Sequence, residues 1–184
     1  MNEPVRSRPV PPDKLVIFTA ANAPTLDETG MMDAMTFTEP QADARPLSEA
    51  EIAKFQSSAR LTVPFQQEGP GGFSLVSIDF APGYMLPRHS HSSDCLYYIV
   101  EGSIVMGRRE LGPGDGFFLP AEQPYAYHAG SRGVKLLEFR NRTAFDMKVY
   151  EKDMAAYRAR AFASMDSAGA NTGADETRTR PSDG

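Results

Sequence analysis

The chain has 184 residues and a formal net charge of −5 at pH 7, and this length suits one domain with a substantial core. Hydrophobic residues make up 41% and charged residues 23%, a balance typical of a globular protein rather than a disordered or membrane-embedded one. The excess of acidic residues argues against a nucleic-acid partner. No apolar run approaches the roughly 18 to 20 residues that a membrane-spanning helix needs, so no membrane partner is expected.

Residues 1–12 are rich in proline and polar side chains, and we expect them to be disordered. They contain no apolar segment of the kind that a secretion signal needs. The chain has one cysteine, Cys95, which cannot form an internal disulfide. A reducing compartment is therefore expected, and the prediction is a cytoplasmic protein.

Residues 13–60 are predicted to form an N-terminal extension ahead of the main domain. The apolar run KLVIFTA, at 14–20, is typical of a strand. The stretch at 46–56 predicts a short helix, because Ser48 can cap its first turn and Glu51 follows at the three-residue spacing of a capping box.

A series of short apolar segments, separated by glycine and proline, fills residues 61–142. Each segment has the composition of a β-strand, and their close spacing predicts a β-sandwich or β-barrel. Charges near the strand ends, such as Glu101 and Arg140, are expected to face solvent. The predicted strands lie at 73–80, 95–102, 103–107, 116–120, 125–130 and 134–140.

After the β region, the sequence changes to a helical pattern. Met154, Tyr157 and Ala161 are three and four residues apart, which predicts a C-terminal helix within 143–163, with the pattern itself beginning at residue 145. The remaining residues, 164–184, are small, polar or charged and show no apolar periodicity. We therefore expect a disordered tail there.

His89 and His91 are two residues apart, so on a strand they point to the same side. Cys95 follows four residues later in the same phase. Imidazole nitrogen and thiolate sulfur are both ligands for divalent transition metals. The residues alone leave open whether these three side chains meet at a metal.

The spacing around these residues resembles the first motif of the cupin superfamily, whose members are small β-barrels of the jelly-roll type. Every interval of that motif is kept, and a second motif is matched more loosely after the turn LGPGD at 111–115. The first match consists of Gly83, His89, His91, Cys95 and Gly102, and the second of Gly114, Pro120, Glu122 and Tyr125. The resemblance implies an all-β fold, an antiparallel jelly-roll β-barrel over 61–142 with short flanking helices.

Three positions depart from the family pattern. Cys95 stands where the family has glutamate, Glu122 where it has glycine, and Tyr125 where it has a third metal-binding histidine. The resemblance thus implies a divalent metal held by His89, His91, Cys95 and Tyr125. Imidazole and thiolate ligands favour iron, zinc or copper over manganese.

Each of these ligands has an ordinary alternative. Cys95 is equally well explained as a small buried hydrophobe, and the pocket could be free of metal. Strand alternation turns Asp94 away from the cavity and places His128 on the opposite face. Tyr125 and Tyr127 share the inward phase and are predicted as catalytic residues, and Tyr97 is predicted as a wall of the substrate pocket.

Two functions follow from the resemblance. The first is a metal-dependent cupin enzyme, a dioxygenase, lyase or isomerase acting on a small organic substrate in the barrel. The alternative is a non-catalytic small-molecule-binding or sensory cupin without a tightly bound metal. The resemblance also implies a homodimer. The substrate, the reaction and the metal stay open at this stage.

Overall fold

The computed structural model describes residues 15–40, 45–69 and 71–176, with side chains described up to residue 169. Nine strands form its centre and three helices flank them within these ranges. The helices are α1 (Leu26–Thr29), α2 (Glu49–Ser58) and α3 (Met154–Glu176), with a 3-10 turn at Ala20–Asn22. The strands are β1 (Thr36–Phe37), β2 (Ala59–Gln66), β3 (Ser74–Phe80), β4 (His89–Ser90), β5 (Cys95–Met106), β6 (Arg109–Leu111), β7 (Gly116–Leu119), β8 (His128–Arg140) and β9 (Lys148–Val149).

The strands lie in two sheets. The larger sheet has the order β2-β3-β8-β5-β6, with β7 also paired to β5, and every pairing in it is antiparallel. The smaller sheet has the order β1-β9-β4, in which the β1–β9 pairing is parallel. The prediction of an all-β fold, mainly antiparallel and with short flanking helices, is confirmed. Two separate sheets, rather than a closed barrel, are found among the described residues.

Two pairs of predicted strands are fused into long ones. The segments at 95–102 and 103–107 form the single strand β5, and those at 125–130 and 134–140 largely merge into β8. Glycines at the junctions allow this, since Gly102 and Gly133 adopt φ values of 70° and 75°. A Cβ on Gly102 would lie 2.0 Å from the Gly133 carbonyl oxygen, so the two strands approach closely only because both residues lack side chains.

The N-terminal extension is predicted correctly in its helix and wrongly in its strand. Ser48 caps α2 and forms the capping box with Glu51, as expected. The segment at 15–19, in contrast, pairs with no strand among the described residues. Its apolar side chains Leu15 and Ile17 are 95% and 85% exposed. Residues 1–14, with the segment predicted to be disordered, lie outside the described ranges.

The C-terminal region departs from the prediction at both ends. Residues 148–149 form β9, and the helix begins only at Met154, because Phe145 and Val149 pack into the core instead of following a helical stripe. The helix then continues to Glu176, so the predicted disordered tail begins inside it. The first part of this extension packs closely on the β region, since a Cβ on Gly83 would lie 2.5 Å from the Ser164 carbonyl oxygen and 2.9 Å from the Ala168 side chain. Residues 177–184 lie outside the described ranges.

The core lies on one face of the larger sheet. Inward residues of its central strands are almost completely buried, and they alternate with outward residues that are partly exposed. No helix in the described part of the chain has the length and apolarity needed to span a membrane.

Candidate functional site

The two histidines and Tyr125 are brought together by backbone pairing. His89 lies in β4, and its amide and carbonyl exchange hydrogen bonds of 3.0 and 2.9 Å with the backbone of Tyr125. His91 follows at the end of β4, and its carbonyl accepts a hydrogen bond of 2.8 Å from the amide of Glu122. Glu122 adopts a φ of 61° in the place of the family's glycine, so the turn is kept although its usual residue is lost.

Both imidazoles have one nitrogen tied to a backbone carbonyl. Nδ1 of His89 donates to the carbonyl oxygen of Pro87 at 2.7 Å, and Nδ1 of His91 donates to that of Asp146 at 2.5 Å. In the neutral ring, a proton on Nδ1 leaves Nε2 as an acceptor. Both Nε2 lone pairs are therefore presented to the cavity, the arrangement that outer hydrogen bonds give to metal-binding histidines.

The Tyr125 hydroxyl lies between these two nitrogen atoms. Its oxygen is 2.9 Å from Nε2 of His89 and 3.3 Å from Nε2 of His91. A second hydroxyl, that of Tyr97, is 2.6 Å from the Tyr125 oxygen. Tyr97 lies opposite Glu138 in the β5–β8 register.

Counting protons shows that this network lacks one hydrogen-bond donor. Two hydroxyl protons, on Tyr97 and Tyr125, face two imidazole nitrogen acceptors. The 2.6 Å contact between the hydroxyls uses one of these protons. At least one imidazole Nε2 therefore has no donor among the described residues, although both rings are buried.

Glu138 and Arg140 form an ion pair below the site, and sequence reasoning missed both of them. Nε of Arg140 lies 2.5 Å from a Glu138 carboxylate oxygen, and the two side chains are 0% and 6% exposed. The prediction that Arg140 faces solvent is wrong. In-phase alternation from Val134 and Leu136 through both charged residues is the signal that could have placed them inside.

Arg140 is held by further contacts. Its Nη1 donates to the Ser93 hydroxyl at 3.1 Å, and its guanidinium lies 4.2 Å from the ring centroid of Phe145. Its Nη2 has no hydrogen-bond partner among the described residues. Burial opposes ionisation of Glu138, yet the Arg140 charge outweighs it and leaves the pKa of the carboxyl below its ordinary value. The pair therefore stays ionised at neutral pH.

The surroundings keep the imidazoles neutral and the phenols protonated. Burial, followed by the charge of His91, lowers the pKa of His89 to about 4. Burial and the Arg140 charge also lower the pKa of His91. Burial raises the pKa of Tyr97, Tyr125 and Tyr127 above the ordinary phenol value. The nitrogen lone pairs are thus free of protons at neutral pH.

The other predicted residues occupy different positions. Cys95 is 1% exposed and burial raises the pKa of its thiol, but it does not line the cavity beside the histidines. Tyr127 lines that cavity. Asp94 is exposed and accepts a hydrogen bond from the Ala121 amide at 2.8 Å, and His128 lies outside the cavity.

The cavity itself is small, with a volume of about 60 Å³. Apolar side chains form most of its wall. Its polar lining residues are His89, His91, Tyr97, Tyr125, Tyr127 and Glu138.

Two of the distances in this cluster equal those between neighbouring ligands of a divalent metal. Ligands at about 2.0–2.1 Å from an ion are roughly 2.9 to 3.4 Å from one another in octahedral or tetrahedral geometry. The Tyr125 oxygen is 2.9 and 3.3 Å from the two imidazole nitrogens. A carboxylate or thiolate does not complete the set, since the described residues contain no cluster of three or more His, Cys, Asp or Glu side chains suited to a metal.

Comparison with known proteins gives structural neighbours only. No protein-family model matches the sequence, and neither does any curated protein. KdgF from Halomonas sp. is 22% identical, with 47% of this chain and 81% of that one covered at a TM-score of 0.40. An RmlC-like cupin protein from Ralstonia eutropha is 13% identical, with 69% and 68% covered at a TM-score of 0.46.

A third neighbour is the DMSP lyase DddQ from Ruegeria pomeroyi, 22% identical, with 55% of this chain and 53% of that one covered at a TM-score of 0.42. Cupins thus occur among the neighbours, as the motif spacing led us to expect. At these identities and TM-scores, the likenesses carry no weight for what this chain binds. The evidence for its function comes from its own residues.

Proposed function

We propose that the protein is a metal-dependent enzyme of the cupin type that acts on a small organic substrate. The observation that carries the proposal is the convergence of two acceptor nitrogens on one phenol oxygen, with too few protons to satisfy them. His89, His91 and Tyr125 are the proposed ligands. Two imidazoles and a phenolate favour zinc, iron or copper over manganese.

Tyr125 can serve as the third ligand only if it loses its proton, and Tyr97 supports that change. Hydroxyl-to-oxyanion hydrogen bonds are typically about 2.5–2.7 Å long, and the two tyrosine oxygens are 2.6 Å apart. Tyr97 would donate this bond to the Tyr125 phenolate. The Glu138 carboxylate is neutralised by Arg140, so the phenolate would be the anionic ligand of the cation.

Tyr127 is the proposed proton donor or substrate anchor. Tyr127 lines the cavity, and burial keeps its hydroxyl protonated. A bound metal would supply Lewis acidity at a substrate oxygen. A partner acid in the wall favours a lyase or isomerase reaction, in which a proton moves, over a dioxygenase reaction.

Metal analysis of the purified protein, before and after incubation with zinc, iron(II) and copper(II), tests the proposal. We expect about one ion per chain. Replacing both histidines, H89A with H91A, should abolish binding while the far-UV circular dichroism stays unchanged. The matched control H128A, outside the cavity, should retain the metal. No bound ion in wild type under any of these conditions would refute the proposal.

The alternative is a metal-free binding or sensory protein. It is favoured by the Tyr125 hydroxyl itself, which already contacts both imidazoles. It is also favoured because the described residues contain no cluster of three or more His, Cys, Asp or Glu side chains suited to a metal. In that case, the protein without metal should have the same thermal unfolding midpoint as the protein incubated with each ion. A metal-dependent rise in that midpoint favours the enzyme.

We also propose a homodimer that forms through the outer face of the larger sheet. The apolar run of β5 places side chains on both faces of the sheet, and its outward members Leu96 and Tyr98 are 49% and 47% exposed. Phe118 of β7, next to Leu96 in register, is 61% exposed. Sedimentation should show a dimer for wild type and a monomer for L96E, with the exposed-loop variant Q123E as control.

The cytoplasm is the proposed location. The single cysteine is buried and unpaired, as is common in a reducing compartment. Cell fractionation of the source organism, with an antibody to the protein, tests this proposal directly.

A further inference from the structure

The inner cavity is too small for a whole substrate. Its volume of about 60 Å³ compares with roughly 300 to 1,000 Å³ for typical ligand pockets. The cavity therefore holds a head group of a few atoms, and the rest of any organic substrate must lie elsewhere.

A second cavity of about 510 Å³ lies against the first. Three apolar residues line both cavities, so they form the partition between them: Leu26, Met32 and Leu61. The outer cavity is bounded on its other sides by polar or small residues of α1, α2 and β2. These are Thr25, Asp27, Gln56, Ser57, Ala59 and Arg60.

The partition is built mainly by the N-terminal extension. The segment that carries α1 is fixed at both ends. The Val63 amide donates a hydrogen bond of 2.8 Å to the Pro24 carbonyl, and the Phe145 amide donates one of 2.9 Å to the Met31 carbonyl. Between these ties lies α1, whose capping box and left-handed Gly30 satisfy its own ends. Leu26 is carried on this short turn, whereas Met32 follows it and forms a β-bridge with Phe145. The unbranched Met32 side chain can still change rotamer when a ligand group passes.

The wall of the outer cavity can bind the polar end of a ligand. Neither the Gln56 amide nor the Arg60 guanidinium has a side-chain hydrogen bond or ion pair among the described residues, and both side chains are exposed. The Arg60 guanidinium is a strong donor to a carboxylate or hydroxyl oxygen. The cavities together therefore match an elongated organic molecule with a small head, an apolar middle and an oxygen-bearing tail.

We propose that the outer cavity is the substrate subsite, and that Leu26, Met32 and Leu61 form a gate through which the head group reaches His89 and His91. This inference deepens the proposed function, since it concerns the same histidines. The gate itself does not require a metal. It can therefore be tested on the metal-free protein.

Carbethoxylation by diethyl pyrocarbonate, a small neutral electrophile, reports access to the imidazoles. Mass spectrometry of peptides would give separate rates for His89, His91 and the internal control His128. The substitution M32A shortens a side chain of the gate, and it should raise the carbethoxylation rates of His89 and His91 several-fold. The matched control M35A, at an exposed methionine outside both cavities, should leave them unchanged.

Blocking the outer cavity should have the opposite effect. Ser57 lines this cavity but not the inner one and is exposed, so S57W should fill it without disturbing the core. We expect several-fold slower modification of His89 and His91 and an unchanged rate at His128. Unchanged rates at both histidines in S57W and M32A, with unfolding midpoints confirming folded protein, would overturn the gate.

Octanoate tests the subsite, with acetate as the short control. Octanoate should slow modification of His89 and His91 in wild type, and this protection should weaken several-fold in R60Q and vanish in S57W. If acetate protected His89 and His91 as well as octanoate does, or if octanoate protected them fully in S57W, the outer cavity would not be the substrate subsite. Failure of metal binding alone would refute the proposed enzyme and leave the gate standing, so the two failures are distinguishable.

Discussion

Each face of the larger sheet carries an exception to the usual distribution of polarity. The inner face buries an ion pair, Glu138 with Arg140, at side-chain exposures of 6% and 0%. The outer face of the same strands leaves Leu96 and Phe118 49% and 61% exposed. Adjacent residues of one strand thus differ in environment only because successive side chains point to opposite faces. A buried ion pair usually gives little net stability, so we interpret the inner pair as part of a functional site. Exposed apolar side chains on the outer face indicate a contact with another protein surface.

The largest expected effect is on the inner ion pair. In R140M, the Glu138 carboxylate is left buried without its counter-charge, and we expect a loss of about 3–5 kcal/mol in the free energy of unfolding. Urea denaturation measures this loss.

The outer face supplies the matched control for this variant. Lys135 and Asp79 are 4.0 Å apart and 43% and 44% exposed, so K135M should cost no more than about 1 kcal/mol. The double variant E138L with R140M should recover most of the stability lost in R140M. Equal losses in R140M and K135M would contradict the contrast between the two faces.

The second effect is the pH dependence of the metal-free protein. The pKa of His89 is about 4 in the fold and near 6.5 when the chain is unfolded. Between these values the unfolded state binds more protons, so the free energy of unfolding falls as the pH falls from 6.5 to 4. The loss from this residue is at most about 3 kcal/mol. His91 contributes in the same direction.

Urea midpoints measured at half-unit steps from pH 7 to pH 4 check this dependence. The variant H89F removes the titrating group and should flatten the curve. A curve of unchanged slope in H89F would show that acid destabilisation arises elsewhere in the molecule.

The third effect separates Tyr125 from Cys95 in metal binding. Y125F removes a proposed ligand, and we expect metal affinity to fall by about 10- to 100-fold, as it does even when supporting groups are lost. C95S should leave affinity nearly unchanged, because Cys95 does not line the cavity. Titration with a competing chelator measures both constants. A loss of affinity in C95S equal to that in Y125F would restore the thiolate as a ligand.

The smallest effect is expected on the outer face. F118S removes an exposed ring, and the stability of the dilute monomer should change by no more than about 0.5 kcal/mol. The dimer should weaken, and sedimentation over a range of concentrations measures this change. A large loss of monomer stability would mean that Phe118 packs against its own chain.

Much of the fold and part of the site were predictable from local pattern. The capping box at Ser48, the strand boundaries around β3 and the shared phase of His89 and His91 depend on residues a few positions apart. The prediction of a strand at 14–20 was wrong, because an apolar run becomes a strand only when the edge of a β-sheet is available to pair with it. The prediction of a disordered tail from residue 164 was wrong for a related reason, since Ser164 and Ala168 pack closely on Gly83, a contact that local composition does not reveal.

The sequence by itself determined which side chains share a face, because side-chain direction along a strand repeats every two residues. Only the tertiary structure decided which of them meet. Tyr97 faces Glu138 through the β5–β8 register, and His91 is oriented by the carbonyl of Asp146, 55 positions away. Register and long-range backbone contacts arise from packing of the whole sheet. The same packing makes Glu138 and Arg140 a buried pair, although each of them alone has the sequence signature of a solvated charge.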